Sequence, residues 1–192
     1  SEQQLAIADE AHKNDRQQLD RYKTERGKLS SDLVGMARRP ASKNSDRTLE
    51  FARHHPSLRY DSESGISKLA TDILFDSGQV ELKSGAKRQL TNFAAMMQSP
   101  QGRELKIMIA GHTDNRQIKG RDTRDQYPTN WHLSTARAIA VADYLKDLGL
   151  DGGRMGIAGF GHHQPIVPND DRSLRQQNRR AELFVVSPDV PV

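Results

Sequence analysis

Between Leu69 and Val186 four short apolar runs alternate with two stretches of helical periodicity, and glycine or proline marks most of the junctions. That alternation is the strongest constraint on the fold, because a period of two and a period of 3.6 cannot be exchanged without burying polar groups. The runs "LATDILF" (69–75), "ELKIMIAG" (104–111), "RMGIAGFG" (154–161) and "RRAELFVV" (179–186) read as strands. In the second, Leu105, Ile107 and Ile109 share one face, with Met108 and Ala110 on the other. Ala86, Leu90, Phe93, Ala94 and Met97 follow helical spacing; Ser84 is placed to cap that helix, and Pro100 and Gly102 stop it. Leu133, Ala136, Ala140, Tyr144, Leu145 and Leu148 form the expected buried stripe of a second helix, which starts near Asn130 and ends at Gly149. The predicted order is β-α-β-α-β-β. Helix-linked strands favour parallel pairing, and the direction of the last strand is open. The expected class is α+β, a mixed sheet with helices packed on one face.

The first third of the chain differs in character. Residues 1–37 contain no proline, and Leu5, Ala8, Leu19, Tyr22, Leu29, Leu33 and Met36 occupy a and d positions of one heptad register. His12, Asp15 and Arg26 interrupt it, so the segment reads either as a weak coiled coil, favouring a homodimer, or as a solvated single helix. "RRPASKNSDR" (38–47) has linker composition, and residues 38–67 as a whole read as linker and irregular, turn-rich chain. The compact domain is expected to span 68–192. Only 34% of the residues are hydrophobic and 5% aromatic, which is thin for one globule of 192 residues and fits a solvated appendage. The absence of cysteine excludes disulfides and thiolate metal sites. No apolar run is long enough to cross a membrane, yet the chain opens inside a helical pattern, so we expect a targeting or membrane segment upstream of Ser1. The net charge of +4 suits a polyanionic partner without demanding one.

The chemistry-bearing residues gather around one loop. Asp114 lies just past the carboxyl end of the second strand. Asn130, Ser134 and Arg137 are spaced to share one face at the start of the second helix. Between them the loop carries Arg116, Lys119, Arg121 and Arg124. Sheets of this kind bind ligands in the crevice outside the carboxyl ends of their strands. A carboxylate and a guanidinium converging there could hold a zwitterion, the first accepting from an ammonium group and the second clamping a carboxylate through two parallel hydrogen bonds. The alternative is that Asp114 and Arg137 simply pair with each other, or that Asp114 caps a turn.

"ILFDSGQVEL" (73–82), "GHTDN" (111–115), "NWHLSTARAIAVADYL" (130–145), "RMGIAGFGHHQPIVPND" (154–170) and "NRRAELFV" (178–185) resemble, in order and spacing, the OmpA-like peptidoglycan-binding domain. The long loop after "GHTDN" and the form "YPTNWHLSTARA" resemble the MotB-like, inner-membrane variant of that family. The resemblance covers about residues 68–186 and leaves the N-terminal helical segment outside. It implies that Asp114 and Arg137 hold the diaminopimelate of the peptidoglycan stem peptide. It further implies that Asn130, Asn178 and Arg179 lie near the same crevice, and that Thr113 and Asn115 shape its loop and offer main-chain donors. Ala181 stands where the family usually has valine, and the loop 116–129 is longer than in the shorter members. No cofactor and no metal are implied.

Two other function classes are weaker readings. A metal-dependent cell-wall hydrolase would need ligands from His112, Asp114, His132, His162 and His163, but their spacing matches no metal motif. His162 and His163 would point to opposite sides of an extended chain, and His112 reads as a hydrogen-bonded structural residue. Ser134 has no accompanying pattern that would supply a base and an oxyanion hole. For a nucleic-acid-binding module the loop has one aromatic residue, Tyr127, while Asp122 and Asp125 dilute its charge. The expectation is therefore a non-enzymatic module of the periplasm and cell envelope. Its partners would be peptidoglycan and, in a stator-like setting, an inner-membrane protein, with no nucleic acid. An outer-membrane anchor is the second reading of how it is held.

Overall fold

The computed structural model describes residues 45–69 and 73–192. In chain order the helices are α1 (Ser45–His54), α2 (Ser84–Gln98), α3 (Arg121–Gln126) and α4 (Asn130–Asp147). The strands are β1 (Leu58–Asp61), β2 (Ile66–Leu69), β3 (Ile73–Leu74), β4 (Lys106–Gly111), β5 (Met155–Gly159) and β6 (Arg180–Val186). Strand β6 is the middle of a six-stranded sheet ordered β1-β2-β6-β4-β5, with β3 also pairing to β6. Among the described residues only β4 and β5 pair in parallel, in register Ile107 to Met155 through Gly111 to Gly159. They are linked through α4, as a parallel pair requires. All pairings of β6 are antiparallel. The class is α+β, as the sequence pattern predicts.

One face of the sheet is dry. Ile107 and Ile109 of β4 and Ala181, Leu183 and Val185 of β6 join Leu90, Phe93 and Met97 of α2 and Val141 and Leu145 of α4 in one cluster. All five buried positions expected of α2 are buried there. On the opposite face Lys68, Arg180 and Glu182 carry charge, while Ile157, in register with Ile109 on the helix-bearing face, is exposed at the sheet edge.

Three expectations need correction. The stretch read as irregular linker up to residue 67 contains α1 and the β1–β2 hairpin, joined to the sheet through Ser67 opposite Val185. The physical reason is burial. Phe51, Leu58 and Leu69 all enter the core cluster, and each large apolar side chain removed from water contributes about 1.5–3 kcal/mol. Asp61 closes the hairpin turn, its carboxylate accepting from the Glu63 N–H at 3.0 Å and the Ser64 hydroxyl at 2.7 Å. Second, Ser84 is the first residue of α2 and not its cap; Lys83 holds that position without a side-chain bond. Third, the buried side of α4 runs through Leu133, Ser134, Arg137, Ala138, Val141, Ala142 and Leu145, so Ser134 and Arg137 belong to it. The heptad seam from Leu5 to Met36, the segment 1–37 and its proposed homodimer contact lie outside the described residues.

Candidate functional site

Two glycines set where the site forms. A Cβ on Gly111, the last residue of β4, would lie 1.9 Å from the Ser134 carbonyl oxygen. One on Gly159, the last residue of β5, would lie 2.1 Å from Thr135 Oγ1. The second turn of α4 therefore rests directly on the ends of the two parallel strands. Thr129 caps this helix, its hydroxyl accepting from the His132 N–H. Ser134 Oγ donates to the Trp131 carbonyl at 3.0 Å and accepts from the Gly161 N–H at 2.9 Å, fastening the helix to the chain after β5.

Close approach explains why a guanidinium is buried one turn later. Arg137 is fully buried. Its Nε donates to Gln79 O at 3.0 Å, Nη1 to His112 O at 2.9 Å and Nη2 to Asp76 O at 3.0 Å. The Phe75 ring lies 5.1 Å from its Cζ. Arg137 thus staples the loop 76–79 to the residue that follows β4. Burial lowers its pKa to about 10, opposed by the Asp114 carboxylate and reinforced by Arg179, so it stays cationic at neutral pH. Of its five N–H groups three are taken inside the protein, leaving two.

Asp114 faces the same crevice but pairs with a different arginine. Its Oδ2 lies 3.1 Å from Arg179 Nη1, and its Oδ1 accepts from the Arg116 N–H at 3.2 Å. Arg179 also donates from Nε to Phe75 O at 3.2 Å. The Thr113 side chain is 2% exposed, and its hydroxyl has no hydrogen-bond partner. An orphaned buried hydroxyl costs about 1–3 kcal/mol unless something else satisfies it. These groups line a cavity of about 300 Å³ that also touches Asn130 and the loop residues 116–120, a volume at the low end for small-ligand pockets.

The structure brings Thr113, Asp114, Asn130, Arg137 and Arg179 to this cavity. Asn115 and Asn178 do not line it. Asn115 is exposed, and its N–H donates to Asn169 Oδ1 at 3.2 Å. Asn178 is fully buried: Oδ1 accepts from the Ile166 and Val167 N–H groups at 2.8 and 3.2 Å, and Nδ2 donates to Val167 O and Asn169 Oδ1 at 2.9 and 3.0 Å. Asn178 organises the loop after β5 instead. Asn130 Nδ2 reaches Arg116 O at 3.3 Å and the His162 ring at 3.4 Å. His162 stacks on His163 at 4.2 Å, and His163 on the half-exposed Trp131 at 4.9 Å, so the turn at this point aligns rings that an extended chain would separate. Sequence reasoning missed the carbonyls of Asp76 and Gln79, which carry no side-chain signature. It also left open which loop cations face the site; Arg116 and Lys119 do.

On the far face of the sheet lies a second ionic group. Glu182 meets Arg180 and Lys68, each at 2.9 Å. His112 Nε2 lies 3.6 Å from Glu182, too far for a hydrogen bond, and its ring stacks on Phe160 at 5.4 Å. Ring stacking takes the place of the hydrogen bond expected of His112, and its contact with Glu182 is ionic only when the imidazole is protonated. Burial pushes the His112 pKa down, with Arg180 and Lys68 adding to that and Glu182 opposing it. Desolvation would raise the Glu182 carboxyl, but His112, Arg180 and Lys68 outweigh it and hold the group well below the usual carboxylate range. Among the described residues no group of three His, Asp or Glu side chains is arranged to hold a metal ion.

A mixed sheet with a cationic crevice over the ends of its parallel strands defines an α+β module with a small polar cavity. The OmpA family model matches residues 74–179, and the chain belongs to the OmpA family. It is 28% identical over 145 residues to Motility protein B of Bacillus subtilis, covering 73% of this chain and 51% of that protein. Among solved structures, a putative MotB-like protein from Desulfovibrio vulgaris matches with a TM-score of 0.57 and 25% identity, covering 83% of this chain and 99% of that one. The peptidoglycan-associated lipoprotein from Burkholderia pseudomallei matches with a TM-score of 0.52 and 26% identity, covering 61% and 92% respectively. The chain spans about half the length of the curated relatives it matches.

Proposed function

We propose that the crevice binds the peptidoglycan stem peptide non-covalently, through the free amine and carboxylate at the far end of diaminopimelate. One observation carries the reading: a carboxylate with spare acceptor capacity and three guanidinium groups, those of Arg116, Arg137 and Arg179, all border one small cavity. Asp114 accepts from the ammonium group. The carboxylate lies toward Arg179, which keeps three unused N–H groups, and over the positive charge of Arg137. The likeness to a peptidoglycan-associated lipoprotein supports the ligand, and the likeness to Motility protein B supports a tether of stator-like type in the periplasm. In that role the module is a binder and not an enzyme, and it links a membrane-anchored assembly to the cell wall.

The test is sedimentation with purified peptidoglycan, followed by calorimetry on soluble muropeptides. The protein should pellet with the polymer and release no soluble fragments, with or without chelator. Asp114→Asn should weaken binding by about 2–5 kcal/mol, the loss typical of breaking one desolvated charge-assisted contact. Amidating the far carboxylate should weaken wild type strongly and an Arg179→Gln variant much less. Release of muropeptides that chelator abolishes would replace this reading with a metal-dependent hydrolase.

A further inference from the structure

The long loop after Asn115 carries four cationic side chains, but the fold separates them. Arg121 and Arg124 ride on α3, away from the cavity, together with Asp122 and Asp125. Arg116 and Lys119 line the cavity itself. Both are exposed, and among the described residues neither has an ion-pair partner. Their stretch of loop is fastened by the site: the Arg116 N–H donates to Asp114 Oδ1 at 3.2 Å, and Asn130 Nδ2 donates to Arg116 O at 3.3 Å. A purely solvated face would not need its backbone tied on both sides to binding residues.

The charge inventory then constrains the ligand. The cavity is lined by Arg116, Lys119, Arg137 and Arg179 against the single carboxylate of Asp114. A zwitterion brings one charge of each sign and leaves that imbalance unchanged. Like charges gathered around a small cavity raise its potential and favour a ligand with net negative charge.

We propose that Arg116 and Lys119 read a second carboxylate of the same ligand, so that the crevice selects stem peptides with a free carboxylate beyond the diaminopimelate zwitterion. This rests on the stem-peptide reading of the crevice. Two sources supply such a group: the acidic residue that precedes diaminopimelate, and the carboxyl terminus of an uncross-linked stem. In both cases a neutral amide at that position removes what the loop recognises. The loop cations thereby sense whether the wall is amidated or cross-linked at the point of attachment.

The experiment is calorimetry of the whole chain with three soluble tetrapeptide muropeptides: one with every carboxylate free, one amidated at the acidic residue, and one amidated at the chain terminus. Wild type is compared with the R116Q/K119Q double variant. Two partly exposed ion pairs together are worth about three- to tenfold in affinity. The double variant should lose that factor on the free muropeptide. One of the two amidations should cost wild type the same factor and cost the double variant nothing, and that arm names the source. Equal affinity of wild type and double variant for the free muropeptide would overturn the proposal while leaving the stem-peptide reading in place. So would amidation penalties that persist unchanged in the double variant. No binding of the free muropeptide by wild type would overturn the stem-peptide reading itself, and this proposal with it.

Discussion

Arg179 Nη1 lies 3.1 Å from Asp114 Oδ2, and this is the ion pair that borders the cavity; Arg137, though it lines the same cavity, spends its donors on three main-chain carbonyls. Two arginines that look alike in the sequence therefore do different work. Arg179 keeps three unused donors and some solvent contact, while Arg137, fully buried and with two left over, holds the wall behind it.

This division predicts opposite phenotypes for one substitution. Arg137→Lys keeps the charge but cannot reach three carbonyls with planar geometry, and should lower stability by about 1–3 kcal/mol. Arg137→Ala strands all three and should lower it by about 3–5 kcal/mol. Arg179→Lys should stay within about 1 kcal/mol of wild type in stability but lose muropeptide affinity. Urea denaturation beside calorimetry separates the two effects. Equal stability losses for the two lysine variants would contradict the assignment.

A second prediction concerns acid. The folded chain holds the His112 pKa below the ordinary 6.5, so the unfolded chain takes up the proton first. The sign follows: stability is fully present above about pH 6.5 and falls as pH drops below it. Glu182, held below its ordinary 4.5, adds a further loss once pH falls through 4.5. The groups facing His112 are Glu182, Arg180 and Lys68, with Phe160 against its ring. His55 and His162 are also shifted down and contribute in the same direction. Urea midpoints at pH 7.5 and 5.5 should therefore differ in wild type, and the difference should shrink in His112→Gln. An unchanged difference would remove His112 from the account.

What was legible in the sequence was whatever repeats with a period. Ala86, Leu90, Phe93, Ala94 and Met97 announce α2, and the β4 alternation puts Leu105, Ile107 and Ile109 into the core. The β1–β2 hairpin escaped because its strands are four residues each, too short for a period to show, although Asp61 and Gly65 mark its turn. The buried side of α4 was misplaced because it contains Ser134 and Arg137, polar residues that no apolar pattern selects. Their burial depends on two glycines, Gly111 and Gly159, far apart in the sequence and on strands that only the folded sheet brings side by side. In the site, Asp114, Asn130 and Arg179 carried recognisable side-chain chemistry. The carbonyls that occupy Arg137 belong to Asp76, Gln79 and His112, and a main-chain acceptor leaves no trace in residue identity.

Asn178 offers a third test. Its amide accepts from the Ile166 and Val167 N–H groups and donates to Val167 O and Asn169 Oδ1. Asn178→Asp preserves the acceptor and destroys both donors, and Asn178→Ala removes all four bonds. Both should destabilise, Ala by about 2–4 kcal/mol. Hydrogen exchange at the Ile166 and Val167 amides should accelerate strongly in Asn178→Ala and much less in Asn178→Asp. Affinity for muropeptide should change less than in Asp114→Asn, because Asn178 does not line the cavity. A binding loss as large as that of Asp114→Asn, without faster exchange, would restore Asn178 to the site.

The last prediction concerns the contact that creates the crevice. A methyl group on Gly111 would sit 1.9 Å from the Ser134 carbonyl oxygen and 2.8 Å from its carbon. Both are backbone atoms, so no side-chain rotation relieves the clash, and α4 must lift from the end of β4. Lifting it draws Arg137 away from His112 O and Asn130 away from the loop it fastens. Gly111→Ala should therefore lower stability by about 3 kcal/mol or more, within the range of severe overpacking. It should also weaken ligand binding in whatever fraction remains folded, although Gly111 itself offers no side chain to a ligand. Gly152→Ala is the control, since an added Cβ there meets nothing within 4 Å. It should behave as wild type in both assays. Gly159→Ala is the milder companion: its nearest obstacle is the Thr135 hydroxyl at 2.1 Å, which can rotate, but the Thr135 backbone nitrogen at 2.8 Å cannot. Urea denaturation of the three variants should order them Gly111, then Gly159, then Gly152 from most to least damaged. A Gly111→Ala protein as stable as wild type would mean that the helix is not seated on the strand end, and the cavity geometry would have to be rebuilt from that point.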